Sequence, residues 1–297
     1  MELRHLRYFV AVAEELHFTR AAARLHIGQP PLSQQIQALE AELGVSLFHR
    51  TRRSVQLTEA GRHLLERART ILAASTDVAA ELQRIARGES GELRIAFTSS
   101  GLLIPELRSA LKTYRQRYPG VSLRLSEMYT HAQFAALIAG ELDVGFVRYN
   151  EPAAPAGLRL QLLRRDRLCL ILPDDHPLAS QPRIHLADCR NEAFIGYPAG
   201  AGASLVDYLQ ALCRNAGFEP HITQEAREAQ TQIGLVAAGI GVAVLAEPLA
   251  LIRVEGVRFI PLADPGAEVC MALATRAEEA SPRVQGFMNG LLPARVD

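Results

Sequence analysis

Several things are scarce in this chain, and each scarcity removes a class of function. The 297 residues hold four cysteines, at 169, 189, 213 and 270, with no CxxC pair and no Cys/His metal spacing. They read as the small hydrophobes of a reduced, cytosolic protein, and no metal or other cofactor is expected. No apolar run is long enough to cross a membrane. The opening M-E-L-R-H-L-R has no apolar signal core. Lysine is nearly absent: Lys112 is the only one, and the other basic residues are arginine. The formal net charge is zero, so nucleic-acid binding has no global signature and must be argued from local distribution. Nucleotide and catalytic signatures are missing too: no GxGxxG, no Walker motif, no nucleophile–base pairing. There is no long-range repeat. The length suits two or three domains with sizeable cores.

What is present is concentrated first in residues 18–37, F-T-R-A-A-A-R-L-H-I-G-Q-P-P-L-S-Q-Q-I-Q. A short Ala-rich helix over 19–25 is followed by a turn at 26–28. A second helix opens on Gln29 with Pro30 and Pro31 in its first turn, where backbone N–H groups have no partner inside the helix. Helix, tight turn, helix is the geometry that lays a second helix in a DNA major groove. Gln29, Ser33, Gln34 and Gln37 offer polar groups for base edges or phosphates. The same pattern also suits an ordinary helical hairpin. Leu3, Leu6, Phe9, Val10 and Val12 give a preceding helix with one apolar side. Leu43, Val45, Leu47 and Phe48 are expected to pack under the helices. Arg50, Thr51, Arg52 and Arg53 then form a basic turn before a strand over 55–57. Beside a helix-turn-helix this reads as a wing reaching phosphates or a minor groove.

Thr58 caps a long helix, with Glu59 in its first turn. No proline interrupts it to about Arg87. Leu57, Gly61, Leu64, Ala68, Ile71, Ser75, Val78, Leu82 and Ile85 alternate at spacings of four and three, a heptad pattern. A single stripe cannot bury itself, so it predicts a dimerisation helix through Leu64, Ala68, Ile71, Ser75, Val78 and Leu82. Packing on the chain's own domains is the alternative. Gly88 and Gly91 mark a hinge.

From Gly91 the chain alternates strands and helices. Strands are expected over 92–98, 121–127 and 143–148, with helices from 105 and over 132–139. Segments 158–163 and 168–172 read as crossing strands into a second lobe. That lobe holds strands 193–197, 222–225 and 242–245 and helices 204–216 and 229–238. Segments 257–262 and 269–275 return the chain to the first lobe, and a helix over 282–292 completes it. Ligands of open α/β sheets sit beyond the carboxyl ends of strands. Four segments fall there. Thr98, Ser99 and Ser100 precede a helix and suit an anion. Thr130 and His131 sit at a helix start. Arg148 ends a strand and can pair a carboxylate bidentately. The loop around Ala199 to Ser204 offers flexible backbone donors. Each segment taken singly is equally a cap or a turn.

At this point the whole chain resembles the LysR-type transcriptional regulators. The motifs are M-E-L-R-H-L-R-Y-F, F-T-R-A-A-A-R-L-H-I-G-Q-P-P-L-S-Q-Q-I, L-G-V-S-L-F-H-R and L-T-E-A-G. In the second half E-M-Y-T-H-A-Q, V-G-F-V-R and G-L-V-A-A-G-I-G-V-A-V-L are similar to the subgroup controlling aromatic catabolism, which responds to benzoate- or muconate-like carboxylates. The resemblance implies a winged helix-turn-helix over 1–58, a coiled-coil linker and hinge over 59–90, and a two-lobe effector domain over 91–297 like a periplasmic binding protein. Lobe I would take 91–162 and 268–297, and lobe II 163–267. Promoter DNA would meet Thr19, Gln29, Pro30, Pro31, Ser33, Gln34, Gln35, Arg52 and Arg53. The effector would meet Ser99, Ser100, Thr130, Arg148, Pro198, Ala199, Gly200 and Ser204. It also implies a cytoplasmic homotetramer that bends double-stranded DNA, with RNA polymerase as a further candidate partner. Gly28 and Gln34 stand where the family often has Ser and Arg, which bears on site preference. A two-lobe solute-binding protein would explain the cleft without the N-terminal module. A cleft enzyme acting on a small carboxylate is a third reading, for which no catalytic pairing is found.

Overall fold

The computed structural model describes residues 1–51, 54–150, 153–199 and 204–291, with the Ser204 side chain excluded. Two compact units emerge, residues 1–85 and 86–297.

The first unit is built on three helices, α1 (Leu3–Glu15), α2 (Phe18–Arg24) and α3 (Gln29–Leu43), followed by β1 (Phe48–Arg50), β2 (Val55–Leu57) and the long α4 (Glu59–Ala86). Leu6, Phe9 and Val12 from α1 meet Ala21 and Ala22 from α2 and Leu32, Ile36 and Leu39 from α3. The alanines let α2 approach closely, and the 32/36/39 spacing puts one stripe of α3 inward. β1 and β2 pair antiparallel, Phe48 opposite Leu57. Leu47 and Phe48 are buried as expected, but Leu43, Val45 and Leu3 are exposed. Leu43 and Val45 flank the left-handed Gly44 that ends α3, so the chain turns outward there. Arg50 does not join a free basic turn. It ends β1, pairs with Glu40 at 2.6 Å, and lies over the Phe18 ring. Glu40 also accepts from the Leu47 and Phe48 backbone N–H groups, fastening β1 to α3. Arg52 and Arg53 lie outside the described residues.

The heptad stripe divides in two. Thr58 caps α4 by accepting from the Gly61 N–H at 2.9 Å. Gly61 and Ala68 are buried against the unit's own core, with Leu64, Leu65 and Leu72 packed beside them. Ala68 is therefore not available as a seam residue: its small size serves close approach within the domain. Ile71, Val78, Leu82 and Ile85 remain exposed.

Leu16 closes α1 with a left-handed backbone, φ 46°. An L side chain there costs about 1–2 kcal/mol. Its side chain is exposed, so Leu16→Gly is expected to raise the melting point of the N-terminal unit by relieving roughly 1 kcal/mol. Calorimetry of the two proteins checks this, and an unchanged or lower transition would refute it.

The second unit carries one continuous sheet in the order β4-β3-β5-β11-β6-β9-β7-β8, with β10 paired to β6. β3 (Gly91–Phe97), β4 (Val121–Glu127) and β5 (Val144–Arg148) run parallel, and β11 (Glu268–Arg276) is antiparallel to both β5 and β6. This first lobe is covered on one face by α5 (Pro105–Arg117) and α9 (Pro282–Leu291), and on the other by α6 (Thr130–Ile138). β7 (Ala193–Gly196), β8 (His221–Glu225) and β9 (Val242–Ala246) form the second lobe with α7 (Ser204–Asn215) and α8 (Ala229–Ala237). Double coverage explains why β5 and β9 are buried throughout.

Two expectations change. The pair of crossing strands is a single sixteen-residue strand, β6 (Leu158–Pro173). The R-R-D-R run at 164–167 reads as a break, but alternation keeps it in the ladder: Asp166 turns inward while Arg165 and Arg167 face solvent. β10 (Val257–Pro261) pairs with residues 169–173 of β6, so it stays in the second lobe and only β11 re-enters the first.

Candidate functional site

The recognition surface follows from the inward stripe of α3. With residues 32, 36 and 39 buried, Gln29, Pro30, Pro31, Gln34 and Gln37 are exposed and Ser33 half-buried. Thr19, in the first turn of α2, is exposed as well. Gly28 is the N-cap of α3 and supplies no side-chain cap. Gln35 is drawn to the flank, where its Oε1 and His5 Nε2 on α1 lie 3.0 Å apart. Its first commitment is to helix packing.

In the second unit, the ends of β3, β4, β5 and β9 meet the first turns of α6 and α8 around a cavity of about 140 Å³. Lobe I contributes Thr98, Ser99, Ser100, Glu127, Met128, Tyr129, Thr130, Arg148 and Val269; lobe II contributes Tyr197, Leu205, Arg227, Glu228, Ala246 and Leu249. The volume matches the roughly 150 Å³ apolar cavity that accepts a benzene-sized guest. The lobes touch across it. The Tyr129 hydroxyl donates to the Arg227 carbonyl at 2.6 Å. The Tyr129 and Tyr197 rings meet edge to face at 6.1 Å, and the Ser99 side chain hydrogen bonds the Tyr197 phenol. Burial pushes that phenol up to about 12, so Tyr197 is neutral at physiological pH.

Arg148 is less free than its position at a strand end implies. Its side chain is 8% exposed and its Nη1 lies 2.5 Å from Asp166. Nε and Nη2 donate to Ser100 Oγ at 3.1 and 2.9 Å. Asp166 is fully buried and also accepts from Arg164 Nε at 2.6 Å, while Arg164 reaches Glu106. Burial pulls the Arg148 guanidinium below the ordinary arginine range and Asp166 opposes this, so it stays charged. Arg148 therefore braces the cavity floor, with its charge already balanced. Thr130 is committed as well: its Oγ1 donates to the Arg148 carbonyl and accepts from the Arg148 N–H, tying α6 to β5. α6 has no side-chain cap, so its first-turn N–H groups face the cavity end without one.

Of the 198–204 segment, residues 198 and 199 are fully described. Its flanking residues Tyr197 and Leu205 line the cavity; Pro198 and Ala199 do not. The Ala199 N–H instead donates to Glu225 at 3.4 Å. Gly200 and the Ser204 side chain lie outside the described residues. Sequence reasoning missed Tyr129, Tyr197, Met128, Glu127, Ala246, Leu249 and Val269. Arg227 and Glu228 also line the cavity, and neither has an ion-pair partner within 4 Å among the described residues. The available signal was that Glu127 and Tyr129 follow the strand-end rule that selected Thr130.

A winged helix-turn-helix joined to a two-lobed domain with a small-molecule cavity defines a ligand-responsive DNA-binding protein. The chain belongs to the LysR family of bacterial transcriptional regulators: residues 3–62 match the family's regulatory helix-turn-helix domain and residues 86–294 its LysR substrate binding domain. It is 46% identical to the HTH-type transcriptional regulator YnfL of Escherichia coli (strain K12), over 99% of each chain. Among solved structures it is similar to full-length CbnR complexed with its target DNA, with a TM-score of 0.81 and 30% identity over 98% of each chain. It is also similar to the BenM effector binding domain with its effector benzoate, with a TM-score of 0.60 and 30% identity over 68% of this chain and 90% of that one. The relatives are named as transcriptional regulators, and the solute-binding and enzyme readings are not favoured. Among the described residues no helix is long and apolar enough to cross a membrane.

Proposed function

We propose that this regulator works in the cytoplasm as a homotetramer on promoter DNA and responds to a small ring-bearing carboxylate held between its lobes. The preformed cavity of about 140 Å³ carries the reading: its volume suits one ring, its walls are largely aromatic and aliphatic, and an uncapped helix start supplies N–H donors for a carboxylate. The carboxylate is received by the first turn of α6 and by Ser99 and Ser100, with Arg148 behind them. Promoter DNA is met by Thr19 and by the exposed face of α3 through Gln29, Pro30, Pro31, Ser33 and Gln34. Arg52 and Arg53 complete that contact from the wing. Dimers form through the exposed half of the α4 stripe, Ile71, Ser75, Val78 and Leu82, with Leu64 at its margin. RNA polymerase is the further partner of the bound tetramer.

Two experiments test this. A thermal-shift series with benzoate, salicylate and muconates should contain a stabiliser, because ligand at a hundredfold its Kd adds about 2.7 kcal/mol to the folded state. The same ligand should change the footprint on promoter DNA. A stabiliser that leaves the footprint untouched would sever the cleft from regulation. For the dimer, a Val78→Glu/Leu82→Glu variant should sediment as monomer and bind two-half-site DNA at least tenfold more weakly, since unpaired charge in a seam costs several kcal/mol. Both side chains are exposed in the single chain, so folding should survive. Unchanged sedimentation would eliminate that seam.

A further inference from the structure

The sides of the cavity are not equally closed to solvent. The floor is Arg148, held by Asp166 and Ser100. On another side Leu103, in the short turn Gly101–Leu103 of lobe I, packs into the apolar cluster of lobe II that contains Leu249. Among the described residues that line the cavity, only Glu127, Arg227 and Glu228 are exposed. They belong to two segments, the end of β4 in lobe I and the approach to α8 in lobe II. The solvent side of the cavity therefore lies between those segments, and that is where Tyr129 crosses. Its hydroxyl donates to the Arg227 carbonyl at 2.6 Å, and its ring meets Tyr197 edge to face. Burial and the charge of Glu228 hold the Tyr129 phenol above its usual range, so it remains a donor at physiological pH. The backbone on both sides is pinned. The Met128 N–H donates to the Phe97 carbonyl and the Tyr129 carbonyl accepts from Gln133, while in lobe II the Ala226 N–H donates to Gly196. What is left to move is the Tyr129 side chain. A hydrogen bond at a wet rim contributes little net, because water replaces each partner when it breaks. The Leu103 seam has no such exchange to offer, since opening it exposes apolar surface.

We propose that Tyr129 is the gate of the effector cavity: its hydroxyl latches lobe I to the Arg227 carbonyl of lobe II, and an effector enters and leaves when that bond opens and the ring swings away from Tyr197. This rests on the reading of the cavity as the effector site and adds how the site is entered. The acceptor is a main-chain carbonyl, so the latch does not depend on which side chain stands at 227. Because the gate is passed in both directions, its removal speeds arrival and departure together and changes equilibrium affinity less than either rate.

The test reads access to the cavity wall directly and uses no effector. In full-length protein carrying Cys270→Ser, a reporter thiol is placed by Ala246→Cys, with Leu249→Cys as a second position. Both residues line the cavity and are buried. Alkylation by N-ethylmaleimide is followed by mass spectrometry, and its rate scales with the fraction of time the mouth is open. The native Cys169, Cys189 and Cys213 are buried, with thiols pushed up to about 12 by that burial, and they gauge general loosening. Tyr129→Phe keeps the ring and should speed reporter labelling about fivefold. Tyr129→Ala removes the ring contact too and should speed it about tenfold or more. The three native cysteines should stay unlabelled in both. Tyr129 is half-buried at the rim, so folding should survive either change. Leu103→Ala, which thins the opposite seam, should leave the reporters within about twofold of their starting rate. Unchanged labelling in both Tyr129 variants overturns the proposal. Acceleration that extends to the native cysteines also overturns it, because the fold rather than the mouth has then loosened. Acceleration by Leu103→Ala as large as that by Tyr129→Ala puts the entrance on the other side and overturns it as well. With no effector in the assay, failure of the gate leaves the ring-acid reading standing, and failure of the thermal-shift series leaves the gate standing.

Discussion

Asp166→Ala is expected to cost the effector-binding unit about 3–5 kcal/mol, the range for stripping one partner from a buried ion pair. The Asp166 side chain is fully buried between Arg148 and Arg164. Arg148 cannot shed its proton, and its side chain is 8% exposed, so removal of Asp166 strands a charge beneath the cavity. Arg164 suffers less because it is a third exposed and keeps Glu106. Urea unfolding of the full-length protein measures the loss in the second unit. Replacing the pair together, Arg148→Met with Asp166→Leu, should cost less than Asp166→Ala, because no unpaired charge remains. A loss under about 1 kcal/mol for Asp166→Ala would show that Ser100 and the Val269 carbonyl suffice to hold the guanidinium.

The second large effect lies in the DNA-binding unit. A Cβ on Gly61 would stand 2.1 Å from the Leu47 carbonyl oxygen and 3.1 Å from its carbon. The obstacle is backbone, and it is pinned, because the same oxygen accepts from the Thr58 N–H at 3.0 Å. Gly61→Ala must therefore push α4 off β1 and loosen Leu64, Leu65 and Ala68. Overpacking of this kind costs typically 1–3 kcal/mol, and the lack of any yielding side chain puts this case at the upper end. Promoter affinity should fall with it, while ligand stabilisation of the second unit stays unchanged. Wild-type DNA affinity and an unshifted first transition would refute the close approach.

Much of the architecture was legible in the residues. The two prolines after Gly28 and the alanines of α2 specify the helix-turn-helix with local rules alone. The alternating apolar runs after Gly91 place most strands and helices within a few residues, because period and breakers act locally. Local rules failed where a distant partner decides. R-R-D-R reads as a charged interruption until Arg148, eighteen residues earlier, provides a reason to bury Asp166. The heptad stripe is continuous in sequence, yet Ala68 belongs to the domain core and Val78 to solvent. No spacing rule says where a helix leaves its own domain.

The site divides the same way. Thr130 and Arg148 were found because strand ends are visible in sequence, but their tasks were not: one ties α6 to β5, the other braces the floor against Asp166. Tyr197, Glu127 and Glu228 lie on different strands and loops of two lobes, and nothing in their spacing joins them. The residue order by itself determined the helix-turn-helix and the alternating strands and helices of the second unit, because these follow from short-range periodicity, caps and turns, while its motifs carried the resemblance to the family. The tertiary structure alone decided which charges are spent within the fold and which line the cavity. Pairing and burial depend on distances through space, and a linear pattern does not contain them.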